Sequence, residues 1–354
     1  MKARGIHRLL PVIIAAATLA TTGESRADEH RIAALTPAGS EWMIILEQGA
    51  ERLAKATDGR VTKKFYPSGV MGRETEVVSK MKLGQLDGAV LTMVGLSAIY
   101  PGIRVLELPF LFRTEEEVDY VRRKMWPYFR KQFKARGFHL MGPGGAGWSY
   151  IYSNRKIRSL DDLRKTKMWV WSGNDVMAGL FDKLGLKAVP MGIANLTGAL
   201  KSGRVDACYS APVGAVAFQW FNDFKYATTM PVAYIIGTTI LRQEVWDAMS
   251  AEDRKQHRKI DRKMARILNR RVVRSNQRSL AAMKRGGVEI VETPDEVRAT
   301  MEATAEKVWD AFADKAYSRK ELDLVLQYRD EFRASQAKEA APASAGAAAK
   351  PAAK

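Results

Sequence analysis

Along this chain the apolar positions switch between a period of two and a period near 3.6, the signatures of strands and helices. "HRIAAL" reads as a strand running into the loop "TPAGS". A helix follows over "EWMIILEQGAERLAKATDG", with Ser40 as its N-cap and Gly59 as its stop. "RVTKKFYPSG" is a second strand, Glu74–Leu83 a second helix and "DGAVLTMV" a third, strongly apolar strand. The cycle restarts at Trp148 with the strand "WSYIYS", a helix over 174–184, the strand "KAVPM", a helix over 194–202 and the strand "VDACYSA". Two such β-α-β-α-β runs predict mostly parallel sheet with helices on both faces, built as two α/β lobes. Ligands of such folds sit at the C-terminal ends of strands, between lobes or at a switch point.

Both termini read differently. Lys2, Arg4 and Arg8 precede an apolar run, Leu9 to Ala20, too short to span a bilayer, and Ser25–Ala27 supplies small residues for cleavage. Residues 1–27 are therefore expected to be a cleaved signal peptide of an exported, periplasmic protein. From Ser335 the chain is rich in Ala, Pro and Lys, which predicts a disordered tail over 334–354. The 354 residues between and around these ends suffice for about two domains. Cys208 is the single cysteine, so no internal disulfide forms, and with no histidine near it in sequence it reads as a buried structural thiol.

The formal charge of +18 favours anionic partners. Much of it lies in 254–278, where Ile260, Met264, Ile267, Leu268 and Val272 recur at helical spacing among cations. This predicts one long amphipathic helix with a solvated basic face. Export disfavours nucleic acid, whereas attraction to a membrane surface is compatible with it. Catalytic chemistry is not evident. His30, His139 and His257 are scattered without metal-ligand spacing, and the acidic pair Asp161–Asp162 fits a helix N-terminus. "GPGGAG" at Gly142–Gly147 lacks the Lys-Ser/Thr end of a phosphate loop and runs into a strand, so a flexible inter-lobe crossing is expected there. No catalytic residue, metal site or cofactor is expected.

The order of several segments resembles the DctP-like substrate-binding proteins of tripartite ATP-independent periplasmic (TRAP) transporters. They are "AERLAKATDGRVTKKFYPSGVMGRETEVVSKMKLGQLDGAV", "LELPFLF", "SNRKIRSLDDLRKTKMWV", "LGLKAVPMGIANLTGALKSGRVDA" and "FNDFKYATTMPVAYIIGTTILRQEVWDAMS". The resemblance runs from about Asp28 to Arg333. It implies a two-lobed α/β periplasmic binding protein with a ligand cleft between lobes and a long helix linking them. It also implies a non-enzymatic role, delivery of a small-molecule ligand to TRAP membrane permease subunits. The expected lobes are 28–147 plus 236–278, with the basic helix, and 148–235 plus 279–333.

In that family the strand after "DLRKTK" usually carries an arginine that forks onto a ligand carboxylate, as guanidinium geometry favours. Trp169 stands at that position, and an indole offers one N–H and no charge. Tyr209 and Ser210 replace a usual polar pair, and Ser149, between Trp148 and Tyr150, stands where a second arginine sometimes occurs. These departures predict an aromatic cleft formed by Trp169, Trp171, Trp148, Tyr150 or Tyr152, and Tyr209, suited to an apolar or aromatic ligand. From the first lobe, Ser40 and Trp42 at the start of a helix and Met93 after the third strand complete the expected wall. An organic acid met by another cation, Arg104 or Arg242, is the alternative within the same class. A periplasmic enzyme and a lipid-surface protein are the rivals outside it. The missing arginine is also similar to a subgroup that works with a tetratricopeptide-repeat periplasmic protein, which would be a further partner.

Overall fold

The computed structural model describes residues 28–340. The expected signal peptide, its cleavage site and the last fourteen residues lie outside that range.

The first run is β1 (Asp28–Ala34), α1 (Glu41–Ala56), β2 (Val61–Tyr66), α2 (Glu74–Lys82), β3 (Gly88–Thr92) and α3 (Met93–Ile99). A 3-10 segment (Pro101–Glu107), α4 (Glu115–Lys134) and β4 (Phe138–Leu140) follow. The second run is β5 (Gly144–Ser153), α5 (Leu160–Arg164), β6 (Lys167–Trp171), α6 (Asp175–Lys183), β7 (Lys187–Met191), α7 (Leu196–Lys201), β8 (Ala207–Ser210) and α8 (Pro212–Ala217). The chain returns through β9 (Tyr226–Arg242), α9 (Gln243–Ala248), α10 (Ala251–Arg285), β10 (Glu289–Val291), α11 (Asp295–Phe312) and α12 (Arg319–Ala340).

Each lobe has the parallel block its sequence pattern predicts. β1 pairs in parallel with β2 and β3, and β6 with β7 and β8. The blocks join through two antiparallel strands, β5 and β9, giving the order β2-β1-β3-β9-β5-β8-β6-β7 with β4 and β10 also on β9. The 17-residue β9 serves both lobes: 237–241 pair with β3, and 226–228 pair with β10. Its two apolar halves are each buried, which is why it reads as nearly continuous hydrophobic sequence.

Three expectations are corrected. The glycine run does not form a loose crossing, because Gly144, Gly145 and Gly147 pair with β9, with a register shift between the last two. Gly147 sits at that bulge with φ of +92°, and a Cβ there would collide with the Asn276 amide. The segment 334–340 is helical, as the end of α12. Nor does α12 complete the second lobe: it packs on α4 of the first run, where Phe332 lies 5.5 Å from Tyr120 and the Tyr128 hydroxyl donates to Glu321 at 3.1 Å. α11 does join the second run, against α6. The expected basic helix is α10, 35 residues long, and it packs on α1 in one lobe and on α8 and β5 in the other.

Candidate ligand cleft

Strand ends and helix starts build the walls. β1 runs out at Leu35, and Ser40 caps α1 by accepting from the Met43 N–H at 3.3 Å. At the start of α2, Arg73 donates to Glu76 through Nε at 2.9 Å and Nη2 at 2.7 Å, while the Glu76 carboxylate also accepts the Arg73 N–H at 3.0 Å. Glu74, the next residue, turns inward. It accepts from the Thr92 N–H at 2.6 Å, the Thr92 hydroxyl at 2.7 Å and the Gly95 N–H at 2.9 Å, tying α2 to the start of α3. Burial raises the Glu74 pKa, and those three donors oppose the rise.

From the other lobe, β6 ends at Trp171 and the chain turns through Ser172 and Gly173, with Asn174 capping α6. The buried Arg104 guanidinium reaches this loop from the 3-10 segment, donating to the Gly173 carbonyl at 2.7 Å and to Asn174 Oδ1 at 3.3 Å, and it also bonds Ser97. After α8, Phe218 stacks on Trp220 at 4.8 Å.

Between these walls lie two adjoining chambers that share Leu35, Trp171, Ile193 and Phe218. The larger, about 390 Å³, brings Ser68, Arg73, Glu74 and Glu76 opposite Trp171 and Ser172. The smaller, about 130 Å³, is bounded by Trp42, Ser40, Val90 and Thr92 on one side and Ser210, Val213 and Ile236 on the other. Among the described residues, none with a charged side chain lines it. Behind it the Glu107 carboxylate accepts the Ile236 N–H at 2.8 Å, and desolvation pushes its pKa up to about 8.

A model of the bacterial extracellular solute-binding proteins, family 7 (DctP), matches residues 32–316. The chain belongs to this family. Its DctP relatives include the C4-dicarboxylate-binding periplasmic protein DctP of Rhodobacter capsulatus, 24% identical over 289 residues, which span 81% of this chain and 85% of that one. Among solved structures it is similar to a TRAP periplasmic solute-binding protein of Desulfovibrio salexigens with bound orotic acid. That likeness has a TM-score of 0.80 at 20% identity, covering 86% of this chain and 99% of the other. It is also similar to the sugar acid binding protein DctPAm of Advenella mimigardefordensis in complex with galactonate, with a TM-score of 0.81 at 19% identity, covering 86% and 98%. The two-lobed TRAP binding-protein fold is thus that of this chain, and as a DctP protein it binds small-molecule ligands and works with membrane permease subunits. The α12 helix lies beyond the matched segment.

The expected cleft residues of this DctP chain fall into two groups. Trp171, Ser40, Trp42 and Ser210 line the chambers. Trp169 does not face them: it is 1% exposed, its indole N–H donates to the Met191 carbonyl at 3.1 Å, and Tyr209, Trp171 and Trp220 surround it at 5.4, 5.8 and 6.2 Å. The two tryptophans do share a strand face, but β6 points toward the cleft, so only its last residue reaches the rim. Two residues back, about 6.6 Å along the strand, the same face is covered by other rings. Met93 at 1% and Ser149 at 0% exposure are likewise core, the serine hydroxyl donating to the Ala233 carbonyl at 3.0 Å. Tyr209 is buried, with its hydroxyl accepting the Trp171 N–H at 3.5 Å, and Tyr152 is fully enclosed. Trp148 and Tyr150 are half-buried and line neither chamber, and Trp148 lies edge-on to Tyr234. Cys208 is buried and free.

The cations named as alternative clamps are placed elsewhere. Arg104 is spent on three acceptors behind the Gly173 loop, and Arg242 pairs with Glu244. Arg73 is the cation that lines the cleft, and sequence reasoning missed it together with Glu74, Glu76, Ile193 and Phe218. The run "GRETEV", a glycine followed by charges that open a helix, was the available signal for the first three.

Proposed function

We propose that this protein is an exported TRAP binding protein whose ligand has a flat, largely apolar body held between Trp171, Phe218 and Ile193 on one side and Trp42 and Leu35 on the other. The charge-free smaller chamber beside Trp171 is the observation that carries this reading. A bidentate guanidinium clamp is absent from the β6 position, where Trp169 fills the core instead. In this reading the two α/β runs close on the ligand as lobes, residues 1–27 direct export, and a tetratricopeptide-repeat protein is a partner alongside the permease.

A second reading has independent support. The solved relatives hold orotic acid and galactonate, and Arg73 is 69% exposed at the larger chamber. An acid could draw Arg73 away from Glu76, keeping its flat part against Trp171.

Denaturing the purified protein and identifying the released small molecule by mass spectrometry, followed by calorimetric titration, separates the two. An aromatic or alicyclic compound without a required carboxylate is expected. Release of a sugar acid, bound more tightly than its apolar analogues, would overturn the apolar reading and select Arg73 as the anchor.

A further inference from the structure

One face of α10 carries charge that the fold does not use. Lys259, Arg262, Lys263, Arg266, Arg270 and Arg274 recur at spacings of three and four, all are exposed, and none forms an ion pair among the described residues. Met264, Leu268, Val272, Ser275 and Ser279 occupy the opposite, buried face. The only acidic residue between 254 and 285 is Asp261, and its carboxylate points inward, accepting the Gly142 N–H at 2.8 Å. Like charges one turn apart repel each other, so this arrangement weakens the helix in isolation. The scaffold keeps the stripe straight from Lys259 to Arg274, over about 22 Å.

We propose that this stripe is an attachment surface for anionic phospholipid headgroups. Two observations favour lipid over an acidic protein. No apolar side chain is exposed along the stripe, whereas a protein interface needs an apolar or aromatic centre. The cations also lie in a long, nearly linear row, which matches a film of phosphates without demanding a fixed partner geometry. Each Lys or Arg brought near such a surface strengthens attachment about fivefold, so six together hold a small protein loosely and in a salt-dependent manner. Attachment would keep the binding protein close to the membrane in which its permease sits, while α10 leaves the cleft residues untouched.

The test is flotation of the intact protein with vesicles of phosphatidylcholine containing about a third phosphatidylglycerol, beside vesicles of phosphatidylcholine alone. Partition is expected only to the anionic vesicles, falling more than about tenfold between about 50 and 500 mM salt. The combined variant Arg262→Gln, Arg266→Gln, Arg270→Gln and Arg274→Gln should lose at least about tenfold at the lower salt. A control variant changes four exposed lysines elsewhere, Lys183→Gln, Lys187→Gln, Lys201→Gln and Lys315→Gln, and should stay within about threefold of the unmodified protein. Circular dichroism melting of both variants confirms that they fold. No partition at low salt overturns the proposal, as does equal loss in both variants, which would reduce the effect to net charge. Partition that requires an acidic membrane protein in the vesicle also overturns it.

Discussion

The two chambers of the cleft share the wall formed by Trp171, Phe218, Ile193 and Leu35, yet one displays Arg73, Glu74 and Glu76 and the other no charged side chain. The charges of the larger chamber are already matched: Arg73 to Glu76, and Glu74 to three donors. An exposed pair such as Arg73–Glu76 contributes about 0.2–1 kcal/mol. Covering about 100 Å² of apolar surface on the shared wall contributes about 2.5 kcal/mol. On the proposed apolar reading the wall would dominate recognition, and the charges would act mainly on shape and selectivity.

The sharpest way to break that comparison uses two tryptophans of one strand. Trp169→Ala removes a fully enclosed ring and its bond to Met191, and should destabilise the protein by about 3–5 kcal/mol, leaving ligand affinity in the surviving folded fraction nearly unchanged. Trp171→Ala should do the reverse, weakening ligand binding by about 2–4 kcal/mol with a small shift in melting temperature. Thermal melts paired with calorimetric titration read both. Equal losses of affinity in the two variants would mean that the aromatic cluster works as one unit and that the division between wall and core is artificial.

How far the sequence discloses this arrangement depends on which contacts are local. The strands and helices of both runs and the Ser40 cap follow from period and capping chemistry, whereas α10 runs over 251–285, beyond the basic stretch 254–278 that marks it in the sequence. Trp169 and Trp171 cannot be told apart by alternation, since both occupy the same face; what separates them is the cover supplied by Trp220 and Tyr209 from distant segments. Phe218 reaches the cleft because the chain turns after α8, where Gln219 takes a left-handed φ of +59°, a conformation that glutamine gives no hint of in sequence. The pairing of β5 with β9 and the return of α12 to α4 are likewise long-range events.

Beneath the smaller chamber, Glu107 offers a way to sharpen the contrast between displayed and hidden charge. Its pKa is raised to about 8, so the native state binds a proton more tightly than the unfolded chain, whose value is near 4.3. The associated stability is fully present below pH ~4.3 and is lost as pH rises through about 8. Glu107→Gln cannot titrate and keeps an oxygen for the Ile236 N–H. The difference in unfolding free energy, variant minus unmodified protein, should therefore grow by a few kcal/mol between pH 5 and pH 9 in urea melts. Taking the difference cancels other groups such as Lys63, which is shifted down to about 8 and acts in the opposite sense. A flat difference across that range would show that Glu107 is solvated and that the floor of the chamber is wetter than its lining.

The smallest effect is expected at Arg73. Its side chain is mostly exposed, and its partner Glu76 is nearly half so, which limits the pair to about 0.2–1 kcal/mol in stability. Arg73→Gln removes the cation but keeps length and hydrogen-bonding capacity, so α2 should still start at the same place with Glu76 accepting the Arg73-position N–H. For an apolar ligand held by Trp171 and Phe218, affinity should change by less than about threefold, and raising the salt concentration should leave it unaltered. For a carboxylate ligand the same substitution strips away the one cation that lines the chamber among the described residues. Loss would then reach about 1.5–3 kcal/mol, typical of a charge-assisted bond, and Glu76 would be left facing the acid. Calorimetric titration of Arg73→Gln at low and high salt thus decides between the two chambers: a small, salt-independent change assigns recognition to the apolar wall, and a large one moves it to the arginine.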